Sequence, residues 1–164
     1  MAIREVLKYP DAALKAECED VAALSADICE IIEDMKDTMI AAGHSTGIAA
    51  PQIGETVRIV VADASRSRKP CVNHGLLVLI NPEIIKYSGS QQSREGCMSV
   101  PEYTGNVMRA EKIIVQYMDE AMQSKVIEAE GFEAILLQHE IDHLNGILFV
   151  DRVISRRTDL FRRK

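Results

Sequence analysis

Between Ser25 and Ala42 the apolar residues fall at Ile28, Ile31, Ile32, Met35 and Met39, the spacing of one face of an α-helix. Ser25 is placed to cap the start of that helix and Gly43 its end. The pattern then changes period. Runs rich in aliphatic and β-branched residues occupy 57–63 (VRIVVAD), 76–81 (LLVLIN, ahead of Pro82), 84–89 (IIKYSG), 112–118 (KIIVQYM) and 125–130 (KVIEAE), and each predicts a strand. The polar segment 65–70 (SRSRKP) is expected to be a loop between strands. A second helical run follows Gly131, with Phe132, Ile135 and Leu136 on one side, and stops at Asn145-Gly146, a pair suited to a left-handed cap. Strands in one block, with helices at either end rather than interleaved, predict an α+β fold. Mostly antiparallel β-sheets should surround the C-terminal helix, with an amphipathic helix on the N-terminal side.

Composition narrows the class. The chain has 164 residues, 47% hydrophobic and 27% charged, an ordinary globular balance that argues against disorder. It carries no internal repeats or low-complexity tracts, so a single domain over 1–164 is expected. No apolar run approaches the roughly 20 residues a spanning helix requires. Arg4, Glu5 and Lys8 leave no room for the apolar segment of a secretory signal, which predicts a cytoplasmic location. Cys18, Cys29, Cys71 and Cys97 show no CxxC pairing, so neither a disulfide framework nor an all-cysteine zinc knuckle is suggested. The net charge of −6 is uneven: residues 152–164 hold Arg152, Arg156, Arg157, Arg162, Arg163 and Lys164 against Asp159. This basic tail, about 154–164, reads first as a solvated end and second as a contact for a phosphate-rich surface such as a ribosome. Nothing in it suggests a specific nucleic-acid reader.

The chemistry concentrates near the C-terminus. His139-Glu140-Ile141-Asp142-His143 is an HExxH sequence inside the expected second helix. At 3.6 residues per turn the two histidines project from nearly one face, so both imidazoles can reach a single ion. Glu140 projects beside them, where a carboxylate can move a proton between water and a leaving amine without being a ligand. A catalytic site of this kind usually has three protein ligands. Residues 144–164 contain no histidine and only Asp151 and Asp159 as acids, so the third ligand is expected upstream. Cys97 in Glu95-Gly96-Cys97-Met98-Ser99 has the best setting, because the glycine allows close backbone approach and the thiol can bind as thiolate.

Three segments together resemble the signature motifs of the peptide deformylase family in order and approximate spacing: Gly47-Ile48-Ala49-Ala50-Pro51-Gln52, the EGCMS run at 95–99, and QHEIDHLNG at 138–146. The likeness extends to VLKYPDAALK at 6–15 and to Arg109-Ala110-Glu111-Lys112, covering roughly residues 3–153. The resemblance implies a metal-dependent hydrolase that removes the N-formyl group from the formylmethionine of newly made polypeptides and releases formate. It implies one divalent ion on Cys97, His139 and His143, with Glu140 as general acid and base. It also implies that the Gln52 side-chain amide and the Met98 backbone N–H steady the oxyanion. The methionine side chain would lie against Ile135 and Leu136 with Phe132, Met98 and Arg109 near, and Thr46, Gly47 and Gly96 would border the substrate. Iron(II) is the implied cellular metal, with zinc, nickel or cobalt as substitutes. The implied partners are N-formylmethionyl nascent chains.

Two departures stand out. Ser45 replaces the first glycine of the family's usual Gly-x-Gly opening, and Thr46 stands where an aliphatic residue is usual. A serine forced to positive φ would cost about 1 to 2 kcal/mol or shift the loop. Met98 replaces the usual leucine, a volume-conserving change that keeps the N–H. Ser45 and Thr46 are the only support for an alternative, a paralogue hydrolysing another small N-acyl amine or peptide. Glu140 argues against a further alternative, a non-catalytic metal-binding module.

Overall fold

The computed structural model describes residues 2–163. Helix α1 spans Ala26–Ala41 and helix α2 Gly131–Leu144. The strands are β1 (Gly47–Ala49), β2 (Ile59–Asp63), β3 (Leu76–Ser88), β4 (Gln91–Cys97), β5 (Val100–Arg109), β6 (Lys112–Met118), β7 (Ser124–Glu130) and β8 (Leu160–Arg162). They form a five-stranded sheet in the order β1-β2-β3-β6-β7 and a three-stranded sheet in the order β4-β5-β8. Every pairing within them is antiparallel. The α+β architecture expected from the sequence is the one observed. Among the described residues no helix is long and apolar enough to cross a membrane, and all four cysteines are free.

The larger sheet is covered by a helix on each face, which follows from the period-2 alternation of side chains along its strands. Val60 and Ala62 of β2 face α2, where Leu137, Ile141 and Leu144 are buried with Leu79, Ile113 and Val115. Ile59 and Val61 face the other way, onto Ile32, Met35 and Met39 of α1. Ser25 Oγ accepts the Ile28 N–H at 3.2 Å, satisfying one of the free donors of the first turn of α1. Gly43 (φ +77°) and Gly146 (φ +73°) take the left-handed conformation just beyond α1 and α2.

Two sequence expectations change. The runs at 76–81 and 84–89 belong to one strand, β3, that passes through Pro82. The register slips between Ile80 and Glu83, where the proline has no N–H to give. Asn81 adopts φ +52° there, and its side chain bonds both the Val21 N–H (2.8 Å) and the Val21 carbonyl (2.9 Å). The second change concerns the basic tail. Residues 160–162 are not a solvated end but β8, paired with Tyr103–Gly105 of β5. Phe161 lies under Arg94, whose guanidinium carbon is 3.8 Å from the ring centre.

Candidate metal centre

Helix α2 is buried on nearly every side, and its polar residues are buried with it: His139, Glu140, Asp142 and His143 are each under 10% exposed. Its His139 and His143 rings stand one turn apart, with centres separated by 5.2 Å. Strand β4 approaches them from the second sheet. Alternation puts Ser93 and Glu95 inward, and both are buried. The slip between Gly96 and Cys97 at the end of the β4–β5 hairpin then carries the thiol to the helix. Cys97 Sγ lies 3.4 Å from His143 Nε2. The ligand atoms of Cys97, His139 and His143 all fall within 4.8 Å of one another.

One sulfur and two imidazole nitrogens converging in a buried place make a donor set suited to a borderline-soft divalent ion. The Oε1 of Glu140 is buried beside them with no partner in the protein, as expected of a carboxylate kept for something that enters the site rather than for the fold. The residues present therefore fit a metal ion. Burial pushes the Glu140 carboxyl up to about 7, with nearby Glu95 adding to the effect and His139 and Arg109 opposing it. His143 is held well below the ordinary histidine value by burial and by the neighbouring His139 and Arg109. For His139 burial also lowers the value, but the bonds to Cys97 and Glu95 outweigh it and the net shift is upward.

An ionic chain fixes the histidine from behind. His139 Nδ1 bonds Glu95 Oε1 at 2.8 Å, leaving Nε2 for the cluster. Glu95 receives a two-pronged bond from Arg109, Nε to Oε2 and Nη2 to Oε1, both 2.8 Å. The third arm of Arg109, Nη1, reaches Asp142 at 2.6 Å. Arg152 closes the same carboxylate from outside at 2.6 and 3.0 Å. Burial alone would raise the Glu95 pKa, yet the bonds from Arg109 and His139 bring it down to about 2.

This chain corrects one sequence expectation. Arg109 does not line the cleft; it is 5% exposed and turned beneath the site, because two carboxylates hold its guanidinium there. The motif reading also passes over Glu95, Asp142 and Arg152. The available signals are the inward alternation of Ser93 and Glu95 along β4 and the position of Asp142 inside HExxH.

The cleft above the cluster has a volume of about 340 Å³. Thr46, Gly47, Gln52, Gly96, Cys97, Met98, Phe132, Ile135, Leu136, His139 and Glu140 all line it, whereas His143 is buried behind. Gln52 is held by its own oxygen, which accepts the Ala49 N–H at 3.0 Å. Its Nε2 thereby points at Cys97 Sγ (3.4 Å) and Ser99 Oγ (3.2 Å). Gly47 is needed for contact: a Cβ there would come within 2.8 Å of Leu136 Cδ1 and 2.9 Å of Glu140 Oε2. Ser45 is not strained. Asn81 and Met122 are the non-glycine residues with positive φ among those described. The Ser45 hydroxyl donates to the Gly47 carbonyl (3.1 Å), and its own carbonyl accepts from Arg66 Nε (2.9 Å).

Comparison with known proteins agrees with this geometry. The family model described as polypeptide deformylase matches residues 3–159. A peptide deformylase of Thermodesulfovibrio yellowstonii is 43% identical over 164 residues, covering 100% of this chain and 97% of that protein. The crystal structure of a peptide deformylase from Legionella pneumophila superposes with a TM-score of 0.86 at 40% identity, covering 95% of this chain and 88% of the other. One from Synechococcus elongatus, solved in complex with actinonin, gives 0.84 at 35% identity and covers 94% and 80%. With a match over nearly its whole length and a converging Cys-His-His group in the corresponding fold, the chain belongs to the polypeptide deformylase family.

Proposed function

We propose that this chain is a peptide deformylase that removes the formyl group from N-formylmethionyl nascent chains, with Cys97, His139 and His143 as metal ligands and residues 1–164 acting as one catalytic domain. The observation that carries the reading is the unpartnered Glu140 carboxylate beside three converging donor atoms, at the floor of a cleft faced by Gln52. When bound, the ion supplies Lewis acidity, polarising the formyl oxygen and making water a stronger acid.

The chain's own residues do the rest. Glu140 takes the proton of the attacking water and delivers it to the amine as the C–N bond breaks, a role suited to a buried carboxylate whose Oε1 has no partner in the protein. Gln52 Nε2, already aimed at the cluster, donates to the oxygen that gains charge, and the Met98 backbone N–H acts with it. Such a donor contributes about 3 to 4 kcal/mol in a site that excludes water. Phe132, Ile135 and Leu136 form the apolar wall for the methionine side chain, with Thr46, Gly47 and Gly96 along the path of the peptide. A tight fit around the reacting carbon at the cluster would favour formyl over larger acyl groups by sterics.

Iron(II) is the proposed cellular metal, with zinc, nickel or cobalt as substitutes, and the cytoplasm the place of action. The basic segment around 154–164 is available for a ribosome contact through residues outside β8. The test is formate release from formyl-Met-Ala-Ser by protein prepared without oxygen and loaded with iron(II) or nickel, with the acetylated peptide as control. Metal-dependent release from the formyl peptide alone is expected. A metal-loaded but silent protein sinks the proposal.

A further inference from the structure

One wall of the cleft carries charge that the deformylation chemistry does not use. β8 lies on β5, and the next residue is pinned as well, since the Arg163 N–H donates to the Glu102 carbonyl at 2.7 Å. The Arg163 side chain therefore arrives at the cleft, which it lines together with Arg94 and Gly96. Its Nη2 occupies the place of a side chain on Gly96: a Cβ built there would overlap it. Gly96 adjoins Cys97, so the guanidinium sits one residue along the strand from the metal cluster. Arg94 is steadied on the same wall by Phe161 and by Thr104 Oγ1 at 3.1 Å.

Among the described residues no acid pairs with these cations. The carboxylates lining the cleft are Glu95, bonded to Arg109 and His139, and Glu140, which is 4% exposed. Among the described residues none pairs with Arg163, which is exposed. A chain of net charge −6 thus presents arginines at the mouth of its cleft, a local field opposite to the overall one.

We infer that Arg163 is a specificity-determining residue, favouring substrates with a carboxylate within two residues of the formylated methionine, whether an acidic side chain or a chain-terminal carboxylate. The inference rests on the deformylase reading. An extended peptide advances about 3.3 to 3.6 Å per residue, so the second or third residue passes a group placed one residue from the ligand cysteine. A guanidinium recognises a carboxylate through two parallel N–H donors. At an exposed rim such a pair is worth about two- to fivefold in kcat/KM, and less in high salt.

The test compares formate release from formyl-Met-Ala-Asp-amide, formyl-Met-Ala-Asn-amide, formyl-Met-Ala-Lys-amide and formyl-Met-Ala-Asn with a free carboxylate. The expected order at low ionic strength puts the carboxylate peptides first by about two- to fivefold, through KM, with the gap closing near 1 M salt. A gain for the Asp-amide peptide assigns the side chain as partner, and a gain for the free Asn acid assigns the terminus. R163Q should abolish the preference, bringing the carboxylate peptides to the level of the Asn-amide peptide measured with the same variant, and R163E should reverse it toward Lys, both with thermal unfolding like the parent. A preference that survives R163Q, or equal rates on all peptides in the parent, overturns the role of Arg163. Silence toward every formylated peptide overturns the deformylase reading, and this inference with it.

Discussion

In the five-stranded sheet the buried positions are apolar on both faces. Val60, Leu79 and Val115 meet α2, while Ile59, Val61 and Ile80 meet α1. In the three-stranded sheet the inward positions of β4 are Ser93 and Glu95, and the buried end of β5 is Arg109. Apolar burial is non-directional and stabilises many arrangements of side chains almost equally well. A buried guanidinium between two carboxylates tolerates only one, because a misplaced partner leaves a charge unmatched away from water. The larger sheet thus provides a frame for α2, and the smaller one aims His139 at a single point.

The separation of frame from chemistry is tested most severely at Glu140, where α2 carries a buried carboxylate that nothing in the protein binds at Oε1. Glu140→Gln should lower kcat by about 10²- to 10⁴-fold, the usual worth of a positioned general acid and base. The metal content, read by elemental analysis, should be unchanged because the ligand set is intact. Thermal stability should hold or rise, since a desolvated carboxyl is replaced by a neutral amide. A variant with full activity would remove Glu140 from the mechanism.

Arg109→Met breaks the polar sheet itself. It leaves Glu95 buried without its two-pronged partner and removes one of the two cations on Asp142. Stripping one member of such a group costs about 3 to 5 kcal/mol, measurable as a shift of the urea midpoint. Loosening the carboxylate behind His139 should also weaken metal binding about 10- to 100-fold in competition with a chelator. An equal loss of stability with unchanged metal affinity would make the ionic chain part of the frame only.

This contrast also decides what is legible in the sequence. Helix α1, β6 and β7 show their periods, and β2 its continuous apolar run, because most of their inward positions are apolar. β4 and β5 do not, since the residues that alternate inward are Ser93 and Glu95 on β4 and Gly105, Val107 and Arg109 on β5, a mixed set that a reading for hydrophobic period takes as loop. β8 is hidden by its arginines. The three converging donors and Glu140 are legible from residue type and helical spacing together with the EGCMS run. The support behind them is not, because Glu95 meets partners 14 and 44 positions away, separations that carry no local signal. Arg109 illustrates the limit: its place in the motif order suggests the substrate, and only the fold reveals that two carboxylates claim it.

Acid should reach the polar sheet before the aliphatic one. Glu95 titrates at about 2 in the folded protein against an ordinary 4.5, so its contribution to stability is complete above about 4.5 and is lost as pH falls toward 2. The displacement corresponds to roughly 3 kcal/mol, at 1.36 kcal/mol per pH unit. Urea unfolding of metal-free protein, followed from pH 6 downward, should show this fall. In Glu95→Gln the same interval should be flatter, starting from a lower plateau. An identical slope in both proteins would assign the acid sensitivity to other carboxylates.

The smallest expected effect lies at the far side of the frame. The hydroxyl of Ser25 accepts the Ile28 N–H and caps α1, whose apolar face covers the side of the large sheet turned away from α2. Ser25→Ala should cost about 1 kcal/mol, typical of an N-cap, and lower the melting temperature by a few degrees. Formate release per folded molecule should not change, because the contact from α1 to the site runs through a non-directional aliphatic layer that can absorb a frayed first turn. If kcat falls together with Tm in this variant, the two faces of the sheet are coupled more tightly than their chemistry suggests, and the larger sheet helps to aim the site as well as hold it.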